Sequence, residues 1–184
     1  MKKVIPIALL MSLFIQCGNL KTIVANSSEC STIIDDSIIR EYTDPDNGYV
    51  FSTIKGFHIQ RLKDKNNYLY IATSPDSMFQ HYVKIISHDQ SDHLPNYQSN
   101  VLIKRGESRK LYSSKLKQDY KFNNGAAFKK LDDTTQIKGL VAMDFYEFKD
   151  QKKSVIVTAI DFCNSQKSNN IESYFILNRE PVLK

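Results

Sequence analysis

The chain has 184 residues, of which 41% are hydrophobic, 24% charged and 11% aromatic, with only six glycines and five prolines. This is the composition of one ordinary globular domain, and it excludes the collagen-like, low-complexity and disordered classes. Three of the 25 bases precede residue 26, so the formal charge of +5 falls to 22 bases against 20 acids in the rest, which gives no reason to predict nucleic-acid binding.

The N-terminus has the pattern of an export signal. Lys2 and Lys3 are followed by twelve uncharged, mostly apolar residues, 4–15. This run is shorter than the roughly 20 residues of a membrane-spanning helix and is typical of a secretory signal peptide. We therefore predict a signal peptide over residues 1–25, ending at the small residue of Ile23-Val24-Ala25, and a single exported domain over 26–184, periplasmic or secreted.

A second processing site is present at Cys17. This cysteine follows Leu13-Phe14-Ile15-Gln16, which resembles the lipoprotein box of bacteria, although Gln16 stands where that box has a small residue. The resemblance implies lipidation at Cys17 and a lipid-anchored protein, as an alternative to soluble release. Neither route leaves a membrane span in the mature protein.

The cysteine count agrees with export. If Cys17 is removed or acylated, Cys30 and Cys163 remain, and a pair of cysteines in an oxidising compartment predicts one disulfide. Two free, buried thiols are the alternative.

The first half of the mature chain predicts strands, then helices. Turn residues at 44–48 precede strand-like runs at 49–54, 57–62 and 68–72, the first two joined by a tight hairpin at Lys55-Gly56. Ser74-Pro75-Asp76 then has the pattern of a helix start. The apolar residues that follow, Met78, Phe79, Tyr82, Val83 and Ile86, share a helical face, so a helix is expected here, with a strand at 82–86 as the alternative.

The second half predicts a short strand, one more helix and a meander. The strand covers 101–104 and the helix 107–120, where Leu111, Tyr112, Leu116 and Tyr120 share a face. Three strand-like runs with short polar connections follow at 137–148, 154–162 and 171–178. The predicted fold class is α+β, a mainly antiparallel β-sheet packed by one or two helices.

The common catalytic and cofactor motifs are absent from the sequence. The spacing of the glycines permits neither a dinucleotide fingerprint nor a P-loop, and no metalloprotease or nucleophile-elbow motif occurs. We therefore predict no cofactor and no catalytic residue. The segment His88-Asp89-Gln90-Ser91-Asp92-His93 concentrates metal-ligand types, but its spacing matches no standard framework, so no metal site is predicted.

One basic stretch is the most informative surface feature of the sequence. Residues 104–121 hold seven bases against two acids, interleaved with aromatic residues. The predicted binding residues are Lys104, Arg105, Arg109, Lys110, Tyr112, Lys115 and Lys117, with Lys121 next to them. In an exported protein such a patch can steer association with a protein or an anionic envelope component.

These observations favour a non-enzymatic, exported binding domain of the inhibitor or toxin-neutralising type. Two alternatives stay open. One is an exported hydrolase acting on envelope material, with His58 or the histidines at 81–93 as acid, base or metal ligand. The other is a lipid-anchored surface factor held through Cys17. The sequence leaves the oligomeric state open.

Overall fold

The described part of the chain is built almost entirely from β-strands. The computed structural model describes residues 21–23, 25, 30, 39–46, 48–95 and 101–163. The strands are β1 (Lys21–Ile23), β2 (Ile39–Thr43), β3 (Val50–Ile54), β4 (His58–Asp64), β5 (Asn67–Thr73), β6 (Phe79–Ser87), β7 (Val101–Ser113), β8 (Gln118–Lys130), β9 (Thr135–Phe148) and β10 (Lys153–Asp161). Within these residues, no helix reaches the length and apolar character of a membrane span.

Eight of the strands form one sheet. Its order is β4-β5-β6-β10-β9-β8-β7, and neighbouring strands on this path are antiparallel. The short strand β1 pairs in parallel with the start of β9. The strands β2 and β3 form a separate antiparallel pair.

Both faces of the main sheet are covered near its centre. The front face carries Tyr70, Val83 and Val157, and the β2–β3 pair packs over it, with the ring centroids of Phe51 and Tyr70 5.1 Å apart. The back face carries a second cluster that includes Leu69, Tyr82 and Ile160, together with Ala25 and Cys30 from the start of the chain. Two apolar layers therefore sandwich the central strands, which are buried on both sides.

The predicted α+β class is wrong, because the described residues contain no α-helix. Strand β6 replaces the first expected helix, and the end of β7, a turn and the start of β8 replace the second. The apolar spacing in 78–86 imitates a helical face because β6 is buried on both faces, which removes the alternation typical of a half-buried strand. The alternative strand at 82–86 agrees with the structure.

Other element predictions had mixed outcomes. The strand-like runs at 49–54, 57–62 and 68–72 correspond to β3, β4 and β5. The predicted hairpin at Lys55-Gly56 is wrong, because β3 pairs with β2 while β4 pairs with β5. The meander strands at 137–148 and 154–162 correspond to β9 and β10, which pair antiparallel. Its third strand, at 171–178, lies outside the described residues.

The predicted disulfide is present in the structure. Cys30 and Cys163 are bonded, with their Cα atoms 5.6 Å apart and a sequence separation of 133. The bridge lies on the back face, where Cys30 packs against the cluster that includes Phe162. It therefore ties the chain directly after β10 to the segment that precedes β2.

A glycine in β9 allows the end of β10 to cross closely over the sheet. A Cβ atom at Gly139 would lie 2.4 Å from the carbonyl oxygen of Asp161 and 2.9 Å from the Cα atom of Phe162. Because both neighbours are backbone atoms, they cannot rotate away. The absence of a side chain at residue 139 is what lets Cys163 reach Cys30.

Replacing this glycine is expected to destabilise the fold. Gly139→Ala should lower the free energy of unfolding by about 1–3 kcal/mol, since it overpacks a buried backbone crossing. Urea unfolding followed by circular dichroism measures the change. Lys138→Ser, at the exposed neighbouring position, is the control and should stay within about 0.5 kcal/mol of the parent. Equal stability of Gly139→Ala and the parent would contradict the close crossing.

Candidate functional site

The predicted basic stretch forms a long hairpin at one edge of the main sheet. Strands β7 and β8 are each 13 residues long, and β7 has no partner on its outer side among the described residues. The pairing register shifts between Arg105 and Ser108, which marks a β-bulge. Gly106 and Gly125 meet there, and the Asn124 side-chain oxygen accepts a hydrogen bond from the Glu107 amide at 3.0 Å.

The bases lie on both faces of the hairpin, because neighbouring residues of a strand alternate between faces. Beyond the bulge, Arg109 lies opposite Phe122, which belongs to the front face, and Lys110 lies opposite Lys121 on the back face. Lys115 and Lys117 are in the turn that joins the strands, where Lys117 has a φ of 54°. The structure therefore places the predicted residues on a cationic hairpin, in place of the helix expected at 107–120.

Most of these side chains are exposed. Residues Lys104, Arg105, Arg109, Lys110, Tyr112, Lys115, Lys117 and Lys121 are all on the surface, and Tyr112 is 62% exposed. Residues 101–130 contain nine bases and two acids. From residue 26 onwards, the rest of the chain holds 13 bases and 18 acids. The hairpin therefore carries a net positive charge, whereas the rest of the chain from residue 26 onwards is net negative.

Both acids of the hairpin are engaged in ion pairs. Glu107 binds Arg109 at 2.7 Å, and Asp119 binds Lys110 at 2.6 Å. The Lys104 ammonium lies 5.1 Å from the centre of the Phe128 ring. In the part of the chain that the structure describes, Arg105, Lys115, Lys117 and Lys121 form no ion pair. Exposed ion pairs of this kind contribute little to stability. Because two acids face nine bases in the hairpin, a net positive charge remains available for a partner.

A groove of about 910 Å³ adjoins the hairpin. The sequence did not predict it, because six of its 14 lining residues come from the end of β9 and the turn after it, distant in sequence from the hairpin. Its lining includes the apolar residues Leu116, Tyr120, Phe145 and Phe148, the bases Arg109, Lys110, Lys121 and Lys149, and the acids Asp119, Glu147 and Asp150. A lining that combines apolar side chains with charges of both signs suits a peptide-like ligand better than a simple anion.

The histidines considered for catalysis lie apart. His58 is exposed on the edge strand β4, and His93 is exposed in the loop after β6. His81 is buried in β6 beside the Phe51 ring, and burial lowers the pKa of His81 to about 3. In the 88–95 loop, Asp92 forms an ion pair with Lys84 at 2.6 Å. Among the described residues, no three histidine, cysteine or acidic side chains cluster as metal ligands would.

One serine–histidine contact is present. The Nε2 atom of His88 lies 2.8 Å from the Oγ atom of Ser154, which is buried in β10. Glu147 is the cross-strand neighbour of Ser154. Among the described residues, no carboxylate forms a hydrogen bond with His88, so the third member of a catalytic triad is lacking there.

Similarity to known proteins is found among solved structures. No protein-family profile matches the chain, and no curated protein matches it. Among solved structures, the chain is similar to the solution structure of cyanobacterial PsbP (CyanoP) from Synechocystis sp. PCC 6803, with a TM-score of 0.47 and 9% sequence identity. The alignment covers 84% of this chain and 98% of that one.

Proposed function

We propose that this protein is an exported, non-enzymatic binding domain that recognises a protein or an anionic envelope component through the β7–β8 hairpin. The observation that carries the proposal is the concentration of nine bases, against two acids, on one exposed edge hairpin. The groove beside the hairpin adds apolar area, which long-range charge attraction alone does not provide. The disulfide supports export, since such bonds persist in oxidising compartments.

Neutralising the hairpin tests this function. The variant carries Gln at Lys104, Arg105, Arg109 and Lys110. We expect its association rate with the partner to fall about tenfold or more at low salt, and its salt dependence to flatten, because steering by charge is lost. The measurement is affinity capture of the tagged mature domain from its native envelope, followed by binding kinetics on the recovered partner at several salt concentrations.

A matched control removes the same number of charges elsewhere. Gln replaces four exposed lysines outside the hairpin, namely Lys55, Lys65, Lys138 and Lys152. This variant should bind nearly as the parent does. Size-exclusion chromatography of both variants is needed, because charges on an edge strand also prevent sheets from joining edge to edge. Equal capture by the hairpin variant and the control would refute the proposal.

An exported hydrolase is the second candidate, and the Ser154–His88 contact is the observation that favours it. Hydrolysis would need the Ser154 hydroxyl as nucleophile and His88 as base. Model ester substrates test this activity. Turnover abolished by both Ser154→Ala and His88→Gln would support a hydrolase, and the absence of turnover in the parent would leave binding as the function.

A further inference from the structure

The first described strand is part of the folded domain. Backbone pairing joins Lys21–Ile23 to Thr135–Ile137 of β9, and the Lys21 amide donates a hydrogen bond to the Thr134 carbonyl oxygen at 2.8 Å. The Gln136 side-chain amide also donates to the Thr22 hydroxyl at 2.8 Å. Both backbone and side-chain contacts therefore hold β1 in place.

Strand β1 pairs with the start of β9, which β10 does not reach. The ladder between β10 and β9 ends at the pair Asp161–Leu140, because the chain then crosses over Gly139 toward the disulfide. Among the described residues, the start of β9 thus pairs with β8 on one side and with β1 alone on the other. Without β1, this part of β9 would expose a row of backbone groups at a sheet edge.

The same segment contributes to the back-face core. Ala25 is 3% exposed, and it belongs to the cluster that contains Ile137, Val141 and Phe162. Ile23 packs against that cluster. A cut after Ala25 would therefore remove a strand, a core residue and the side chain that packs beside them.

We propose that the export leader is cleaved upstream of Lys21, so that the mature protein retains β1 and Ala25. This inference rests on the proposed export of the protein and replaces the boundary after residue 25. The apolar run ends at Ile15, so cleavage falls within the segment Gln16-Cys17-Gly18-Asn19-Leu20 or at its end. That position brings the cut close to the apolar run, as signal peptides require.

The experiment is the N-terminal sequence and intact mass of the C-terminally tagged full-length protein, purified separately from the cytosol, the envelope and the medium of its source organism. A mature N-terminus between residues 17 and 21 supports the proposal. An added acyl mass on Cys17 identifies the lipoprotein route, and an unmodified N-terminus identifies ordinary signal peptidase. Both keep β1 and both support the inference.

Two other results overturn it and can be told apart. A mature chain that begins at Asn26 contradicts the retention of β1 while leaving export intact. An uncleaved chain that begins at Met1 in the cytosol removes the proposed export together with this inference.

A stability comparison gives a second, independent readout. Proteins covering 18–184 and 26–184, both with the disulfide formed, are unfolded in urea. We expect the ratio of folded to unfolded protein to be about tenfold or more lower for 26–184, because Ile23 and Ala25 no longer cover the back-face core. Equal ratios would overturn the proposal, since β1 would then add nothing to the fold.

Discussion

Loss of the Cys30–Cys163 disulfide is expected to lower the free energy of unfolding by about 5 kcal/mol. The bond closes a loop of 133 residues, and the chain-entropy model assigns a stabilisation of this size to so long a loop. Domains of this kind are stable by about 5–15 kcal/mol in total. The reduced protein should therefore be close to its unfolding threshold at room temperature.

The measurement is urea unfolding of the parent, with and without reductant, beside the double variant Cys30→Ala, Cys163→Ala. Reductant should shift the unfolding midpoint of the parent towards that of the double variant. The double variant itself is the control, because reductant should leave its midpoint unchanged. A parent protein whose midpoint is the same in both redox states would contradict the predicted stabilisation.

Acidification is expected to destabilise the protein through His81. Burial lowers the pKa of His81 to about 3 in the folded state, whereas an unfolded histidine titrates near 6.5. Between these values the unfolded state binds the additional proton, so stability is lost as the pH falls below about 6.5. The linkage relation gives a loss of about 2–3 kcal/mol from this residue by pH 4.5.

Comparing urea unfolding at pH 7.5 and pH 4.5 isolates this contribution. His81→Gln should show a smaller loss on acidification than the parent, while His58→Gln, at an exposed position, should match the parent. Asp161 acts in the opposite sense. Burial, with a smaller effect from Asp76, raises the pKa of Asp161, so its folded form holds a proton more readily in acid. An identical pH response of His81→Gln and the parent would rule out the predicted role.

The sequence was informative where an apolar run is bordered by turn residues, and misleading where a strand buries polar residues among its apolar ones. The run Tyr68–Ala72 is rich in aromatic and β-branched residues and lies between turns, so its prediction as a strand was correct. Strand β6 buries polar residues such as Gln80 and Lys84 beside Val83, and its pattern therefore matches a helix as well as a strand. Burial of a polar side chain depends on partners outside the strand, such as Asp92 in the following loop for Lys84.

The basic stretch was found from the sequence, whereas its geometry was not. Seven bases within 18 residues are visible in any reading of the chain. The bulge at Gly106 and Gly125 reverses which face each β7 side chain occupies, and this reversal depends on the register of two strands. The groove needs the end of β9 as well, so its wall could not be inferred from the hairpin residues alone.

The direction of the β7–β8 hairpin determines how far its turn lies from β1. The pairing of Lys130 with Gln136 places one end of β8 beside β1, so the turn with Lys115 and Lys117 lies at the far end of a 13-residue strand, about 40 Å away. In a chain tethered upstream of β1, these two ammonium groups would therefore be at the end of the hairpin that is remote from the tether. A partner that binds at the turn with Lys115 and Lys117 would then lie well away from the point of attachment.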